Sequence, residues 1–202
     1  MSTPTRWAGV PLSDRRTERR ALLVEAGFTL FGAGGEAALS VRSVCRECGL
    51  NTRYFYESFT DTNDLLGAVY DDVATGLGEA VEQAIDASAD SIRERMAAGI
   101  RAVLGFSSAD PRRGRVLFTD ARANPVLISR RALTQDMLRD IVLLESGQSH
   151  PDSNPIAARV GASMYTGAMA ELAQDWLAGN LGDDLDLVVA HAVRLVLKAI
   201  HP

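Results

Sequence analysis

Between Ser40 and Phe59 the chain carries two short apolar sets at helical spacing, separated only by Gly49-Leu50-Asn51. Nothing else in the sequence limits the fold as tightly. Val41, Val44, Cys45 and Cys48 stand at i, i+3, i+4 and i+7, one face of a helix that Ser40 is placed to cap. Gly49 stops that helix. Asn51 is placed to cap a third helix, with Phe55 and Phe59 at i and i+4 on its inner face. So short a link allows only a tight turn between two short helices, the arrangement of a helix-turn-helix.

The rest of the chain reads as all-α. Alternating period-two runs are absent, and Gly and Pro fall at segment edges. A first helix is expected from about Ser13 to Ala33, with Leu23, Val24, Phe28, Leu30 and Phe31 spaced for one face. Asp61 or Thr62 opens a long fourth helix, and Asp90 or Ser91 a fifth that reaches about Phe106. One signature then occurs three times, at Asp110-Pro111, Asn124-Pro125 and Asn154-Pro155. Each pairs a good capping residue with Pro at the first helical position. These open a short sixth helix, a seventh of roughly twenty residues and an eighth ending near Gly179. The polar stretch "SGQSHPDSN", which ends on Asn154, is the main loop. Asp183 or Asp184 starts a ninth helix with Leu185, Val188, Val189, Ala192, Val193, Val196 and Ile200 on one side. The expected fold is a three-helix helix-turn-helix domain joined by a long helix to a larger helical bundle, about nine helices in all. The boundaries are residues 1–14 for a flexible N-terminal arm, 15–62 for the helix-turn-helix domain and 63–202 for the body.

Charge separates head from body. Residues 1–56 carry eight arginines and five acids, within a chain of net charge −5. A basic head on an acidic body fits a polyanion-binding domain joined to a partner domain, although chance variation along a chain gives the same pattern. No apolar run approaches the length of a membrane span. The N-terminal stretch lacks the apolar core of a secretory signal, so a cytoplasmic protein is expected, with no membrane partner. No nucleophile–base constellation, metal-ligand spacing or phosphate-cradling Gly loop is present, so neither an enzyme nor a cofactor is expected.

The segments "LVEAGFTLFGAGG" and "LSVRSVCRECGLNTRYFYESFTDTNDLLGAV" resemble the N-terminal domain of the TetR family of bacterial transcription regulators. The likeness runs from about Arg15 to Val69. It rests on "SVRSV" opening helix two, the turn Gly, Tyr56-x-x-Phe59 and Leu65-Leu66 in helix four. The body resembles the family only in helix count and length. The resemblance implies a sequence-specific DNA-binding regulator that is a homodimer on palindromic double-stranded DNA. It also implies a repressor released by an unknown small apolar effector. An activator or a ligand-insensitive regulator is the first alternative, and a helical small-molecule binding protein or enzyme the second. Three positions depart from the family pattern. Arg53 and Tyr54 replace a small Gly and Thr in the recognition helix, Thr62 stands where Lys commonly opens helix four, and Glu57 would repel phosphate if it faced DNA.

The expected DNA-binding residues are Arg42, Asn51, Thr52, Arg53, Tyr54, Tyr56 and Thr62. A helix in the major groove shows base edges the polar groups of its N-terminal half, here Thr52, Arg53 and Tyr54. Arg53 can bond bidentately to guanine, a contact worth about 1–3 kcal/mol of discrimination. Tyr56 lies where family members touch phosphate, and Arg42 can do so beside helix-terminal N–H groups. Both tyrosines also read as packing aromatics, and Arg42 as a solvated side chain. Arg6, Arg15, Arg16, Arg19 and Arg20 make a basic arm and helix start able to track a minor groove. Cys45 and Cys48 fall where the family commonly has Ala and read as small buried hydrophobes rather than a redox pair.

In the body, an apolar effector site enclosed by helices four to eight is expected around Phe106, Phe118, Met137, Met164, Tyr165 and Met169. Each is also ordinary core at helical spacing. The small residues of helix eight and the apolar length of helix nine fit a four-helix dimer interface at Gly161, Ala168, Leu172, Val189, Val193 and Val196. An intramolecular bundle is the competing explanation.

Overall fold

The structure, a computed structural model, describes residues 6–7, 10–88, 91–149 and 154–200. A two-residue ladder comes first, β1 (Arg6–Trp7) antiparallel to β2 (Val10–Pro11), with Arg6 opposite Pro11. Nine α-helices follow among the described residues. They are α1 Leu12–Gly34, α2 Val41–Glu47, α3 Thr52–Tyr56, α4 Thr62–Asp86, α5 Ile92–Ala109, α6 Pro111–Gly114, α7 Pro125–Ser149, α8 Pro155–Leu177 and α9 Leu185–Ile200.

Helix ends follow the local chemistry. Ser40 and Ser43 form a reciprocal capping box at α2, each hydroxyl accepting the other residue's backbone N–H at 3.0 and 2.9 Å. Asn51, Asp61 and Ser91 cap α3, α4 and α5 through their side chains. All three Asx-Pro pairs open helices as expected, with Asp110, Asn124 and Asn154 each accepting the N–H two residues on. Asp184 accepts from Leu187 and opens α9. Gly49 takes φ +68°, the left-handed conformation that ends α2 and that only Gly adopts without cost. Helix α7 runs further than expected. Its last residues, Ser146–Ser149, belong to the polar stretch expected to form the loop.

One feature has no sequence signal. Arg115–Thr119 form a π-helical turn between α6 and α7. Such turns are rare and occur as single turns. Arg131 of α7 donates to the carbonyls of Leu117, Val116 and Asp120 at 2.8, 2.9 and 2.8 Å. Burial of this guanidinium lowers its pKa from the ordinary arginine value.

Two apolar clusters hold the chain together. The larger contains Leu23, Phe31, Val44, Phe55, Phe59, Leu65, Leu66 and Val69 from the first four helices, but also Val116, Leu117 and Leu127. The smaller joins Ile100, Leu104, Ala173, Val189 and Val193, from α5, α8 and α9. Phe118 packs against both. Burying each large side chain of these clusters contributes about 1.5–3 kcal/mol, so packing rather than helix propensity holds the short α2 and α3 in place.

Candidate nucleic-acid interface

The three-helix head presents α3 on a rigid base. Phe55 is fully buried and Phe59 nearly so, with ring centroids 5.8 Å apart. Tyr56 stands on the opposite side, 63% exposed, its ring edge-on to Phe55 at 5.5 Å. The expected division of the aromatic cluster into inner and outer faces therefore holds. Arg42, Asn51, Thr52 and Arg53 are also exposed, so the first turn of α2 and the first turn of α3 offer their polar groups on the surface.

Tyr54 and Asn51 are engaged within the chain. Tyr54 is only partly exposed, because the Arg19 guanidinium of α1 lies 4.4 Å from its ring centroid. The Asn51 side-chain oxygen accepts the backbone N–H of Arg53 at 3.0 Å, so its first task is to cap α3. Thr62 is the first residue of α4 and is half-buried, beside the Asp61 cap that accepts the Asp64 N–H at 2.8 Å. The side chain of Arg6 lies outside the described residues.

Sequence reasoning noticed Glu57 only as a source of repulsion. In the structure it organises the surface. Its carboxylate accepts from Arg53 Nε at 3.1 Å and lies 3.6 Å from Arg19. Its backbone carbonyl accepts from Arg16 at 2.6 Å. The i, i+4 spacing of Arg53 and Glu57 was the available signal. The arginines of α1 thus bind the end of α3 as well as facing outward. Arg20 lies 4.9 Å over the Phe59 ring.

Behind this surface, several polar contacts tie head to body. Arg112 of α6 lies 4.6 Å over the Phe28 ring of α1. Its bonds to Asp110 hold that carboxyl below the usual aspartate range. A side chain at Gly32 would overlap the Arg112 side chain, so the aliphatic stem of Arg112 lies directly on the α1 backbone there. Arg115 donates to the Gly32 carbonyl and pairs with Asp120 at 2.6 Å. Asn124 is 4% exposed; its amide donates to Glu36 and Asn63 at 2.8 and 3.1 Å while its oxygen caps α7. Within the body, Arg130 pairs with Asp71 of α4 at 3.1 Å, and Tyr70 donates to Thr134 at 3.1 Å. Burial raises the Tyr70 phenol above its ordinary pKa.

The expected effector residues do not gather in one place. Phe106, Phe118, Tyr165 and Met169 are partly buried. The Phe106 ring is covered by Arg113 at 4.3 Å, and Met169 packs into the smaller cluster. Met137 and Met164 are 58% and 69% exposed, on outer faces of α7 and α8. Two clefts stand out among the described residues. One, of about 470 Å³, is lined by Ala84, Ala97, Ala98, Arg101 and Ala102 between α4 and α5. A smaller one of about 180 Å³ lies beside Gly114, Arg115 and Leu177.

Two of the expected dimer residues, Val189 and Val193, are corrected by the structure. Val189 and Val193 are 2% exposed and packed against α5 and α8 of the same chain, so a second copy has nothing there to bury. Val196 and Leu172 are half-buried beside them, while Gly161 and Ala168 are exposed. The apolar side of α9 fills the chain's own core. The surface apolar residues are instead Ile156, Val160 and Met164 at i, i+4 and i+8 on α8, with Leu187 and Leu195 on α9.

Cys45 is buried and Cys48 half-buried, both as free thiols. Burial and the neighbouring Cys48 push the Cys45 pKa up, away from the reactive thiolate, and Cys48 donates to the Val44 carbonyl. The core role expected of Cys45 fits this geometry. No group of His, Cys, Asp or Glu able to hold a metal ion occurs among the described residues, and no helix there is long and apolar enough to cross a membrane.

Residues 23–69 match the family model of bacterial regulatory proteins, tetR family. The HTH-type transcriptional regulator Rv1816 of Mycobacterium tuberculosis is 30% identical over 106 residues, 52% of this chain and 45% of the relative. The regulator Mb1846 of Mycobacterium bovis matches to the same extent. The match thus spans a little under half the length of these curated relatives. The fold also resembles the fatty acid degradation regulator FadR from Bacillus halodurans, with TM-score 0.73, 15% identity and coverage of 91% of this chain and 96% of that one. FadR from Bacillus subtilis, solved in complex with stearoyl-CoA, gives TM-score 0.72, 18% identity and coverage of 90% and 99%.

Proposed function

We propose, for a chain that belongs to the TetR family of transcriptional regulators and carries their helix-turn-helix DNA-binding domain, that it acts as a homodimeric repressor. In this reading residues 15–62 bind DNA and residues 63–202 serve effector binding and dimerisation. Each subunit lays α3 in the major groove of one half of a palindromic operator. Arg53 reads a base edge, and Tyr56 and Arg42 hold phosphates. Symmetric half-sites demand a two-fold reader, and the exposed apolar rows Ile156-Val160-Met164 on α8 and Leu187 and Leu195 on α9 supply a surface for the second copy.

The single observation that carries the reading is the Arg53 side chain, 84% exposed in the first turn of an α3 held in the core by its own Phe55 and by Phe59 just beyond its end. A reader of bases needs a projecting donor pair on a base that does not yield.

Release follows from α4. This helix carries Leu65, Leu66 and Val69 in the head core and bonds α7 through Tyr70 and Asp71. A ligand that moves α7 relative to α4 re-aims α3, and half-sites one helical turn apart, about 34–36 Å, tolerate little error. The effector is a small apolar molecule. The names of the FadR neighbours make a fatty acid or acyl-CoA the first to try.

Selection of bound duplexes from a random-sequence library tests this reading. The parent chain is expected to enrich a palindrome, and Arg53→Ala to lose preference at one base pair per half-site by about 1–3 kcal/mol. Unchanged enrichment by Arg53→Ala would refute the base-reading assignment. Repression is distinguished from activation by where the footprint lies relative to the promoter.

A further inference from the structure

The geometry points to Glu57 as a specificity-determining positioning residue, one that aims Arg53 at its base and taxes binding to unmatched DNA. The inference rests on the base-reading role proposed above for Arg53.

Arginine has five N–H donors in one plane. Glu57 takes only the inner one, Nε, at 3.1 Å. The edge formed by the two terminal nitrogens is the one that matches the O6/N7 pair of guanine. With the side chain 84% exposed, that edge projects into solvent. A long side chain loses much rotamer freedom when it docks. The Nε bond to Glu57 removes part of that loss beforehand by favouring one placement of the guanidinium.

Glu57 is itself held in place. It sits just past the last residue of α3, where its carbonyl accepts from Arg16 at 2.6 Å. Its carboxylate also faces Arg19, whose guanidinium covers Tyr54. The carboxylate therefore has a fixed backbone and two cationic neighbours. An unsupported surface glutamate would have neither.

The same charge acts on unmatched DNA. There, Arg53 meets only phosphates, and the carboxylate both competes for it and repels them. On a matched site Arg53 keeps Glu57 on Nε and guanine on its outer edge at once. Glu57 thus lowers affinity everywhere but least at the correct base, which widens the ratio between the two.

The test uses the full chain, the site selected by the parent and a scrambled duplex of equal length. Four proteins are compared: parent, Glu57→Gln, Arg53→Ala and the double variant. Glu57→Gln keeps the shape and an acceptor for Nε but removes the charge. It is expected to bind scrambled DNA more tightly, with a salt slope steeper by about one. Its preference for the guanine-containing site over the same site with that base pair exchanged should fall about tenfold. In the Arg53→Ala background Glu57→Gln should leave base preference unchanged, because there is no guanidinium left to aim. If Glu57→Gln retains full preference, or shifts it equally with and without Arg53, Glu57 does not act through Arg53 and the inference is wrong. If Arg53→Ala itself keeps the parent's preference, the base-reading assignment fails first, and this inference with it. A helical circular dichroism spectrum matching the parent's separates either result from misfolding.

Discussion

Asn124 offers a test in which local rule and tertiary structure disagree. As a helix cap, Asp is as good as Asn, so Asn124→Asp should be harmless if capping is all the residue does. The structure gives the other half of the amide work. Its nitrogen donates to the Glu36 carboxylate at 2.8 Å and to the Asn63 side-chain oxygen at 3.1 Å, while its oxygen accepts the Val126 and Leu127 N–H groups. Two acceptors on one side and two donors on the other fix the amide's orientation. Aspartate at this position would aim a carboxylate oxygen at Glu36. A like-charge pair at about 4 Å costs about 4 kcal/mol at an effective dielectric near 20. Glu36 is exposed, and solvent screening leaves roughly half of that. With about 1 kcal/mol for the lost bonds, Asn124→Asp should destabilise by about 3 kcal/mol. For a chain of this length that is a drop of roughly 6–12 °C in melting temperature at fixed protein concentration. The sign with pH follows. The introduced carboxyl, pressed against Glu36, has a folded pKa raised above its unfolded value. The folded state then binds the extra proton, and the deficit shrinks as pH falls from 7 toward 4. Thermal melts followed by circular dichroism at both ends of that range measure it. A variant that melts within a degree or two of the parent at pH 7 would refute the argument and return Asn124 to the status of a simple cap.

Two further outcomes can be checked together. Leu195→Asp should leave a folded chain but weaken self-association, because Leu195 is 69% exposed, whereas Val193→Asp, at 2% exposure, should unfold the chain; sedimentation together with helical signal distinguishes them, and equal behaviour of the two would contradict the packing of α9. The Asp110 carboxyl, held below its usual pKa by Arg112, contributes stability that is present above about pH 4 and lost as pH falls through its folded value. Asp110→Asn should therefore flatten the acid limb of a stability–pH curve, and an unaltered limb would show the ion pair to be of no consequence.

What the sequence disclosed is local. Ser40, Asn51, Asp61 and the three Asx-Pro pairs act within three residues of themselves, and their caps appear where spacing placed them. The two faces of α3 follow from the helical period, so Phe55 and Phe59 inside and Tyr56 outside were legible. Tyr54 was not, since its cover is Arg19, brought there by the packing of α1 on α3. Two of the expected dimer residues, Val189 and Val193, are buried within the chain for a related reason. An apolar stripe announces that a helix face will be buried, not which partner buries it, and Val189 and Val193 were taken by α5 and α8. Met137 and Met164 have helical spacing consistent with a core, yet both side chains are on the surface of the chain. The π-turn at Arg115–Thr119 depends on a guanidinium twelve or more residues downstream, beyond the reach of any local pattern.

The larger apolar cluster has a consequence for how such a chain can be recombined. Val116, Leu117 and Leu127 lie in one buried group with Leu23, Phe31 and Val69. The helix-turn-helix end therefore stands on a floor laid by the helical body. A chimera that joins residues 1–62 to a foreign body inherits a foreign floor, whereas one that carries the patch from Val116 to Leu127 along with the head keeps the native fit. In this chain the unit of exchange is discontinuous in sequence, and the reader of DNA is a region of a shared core rather than a detachable part.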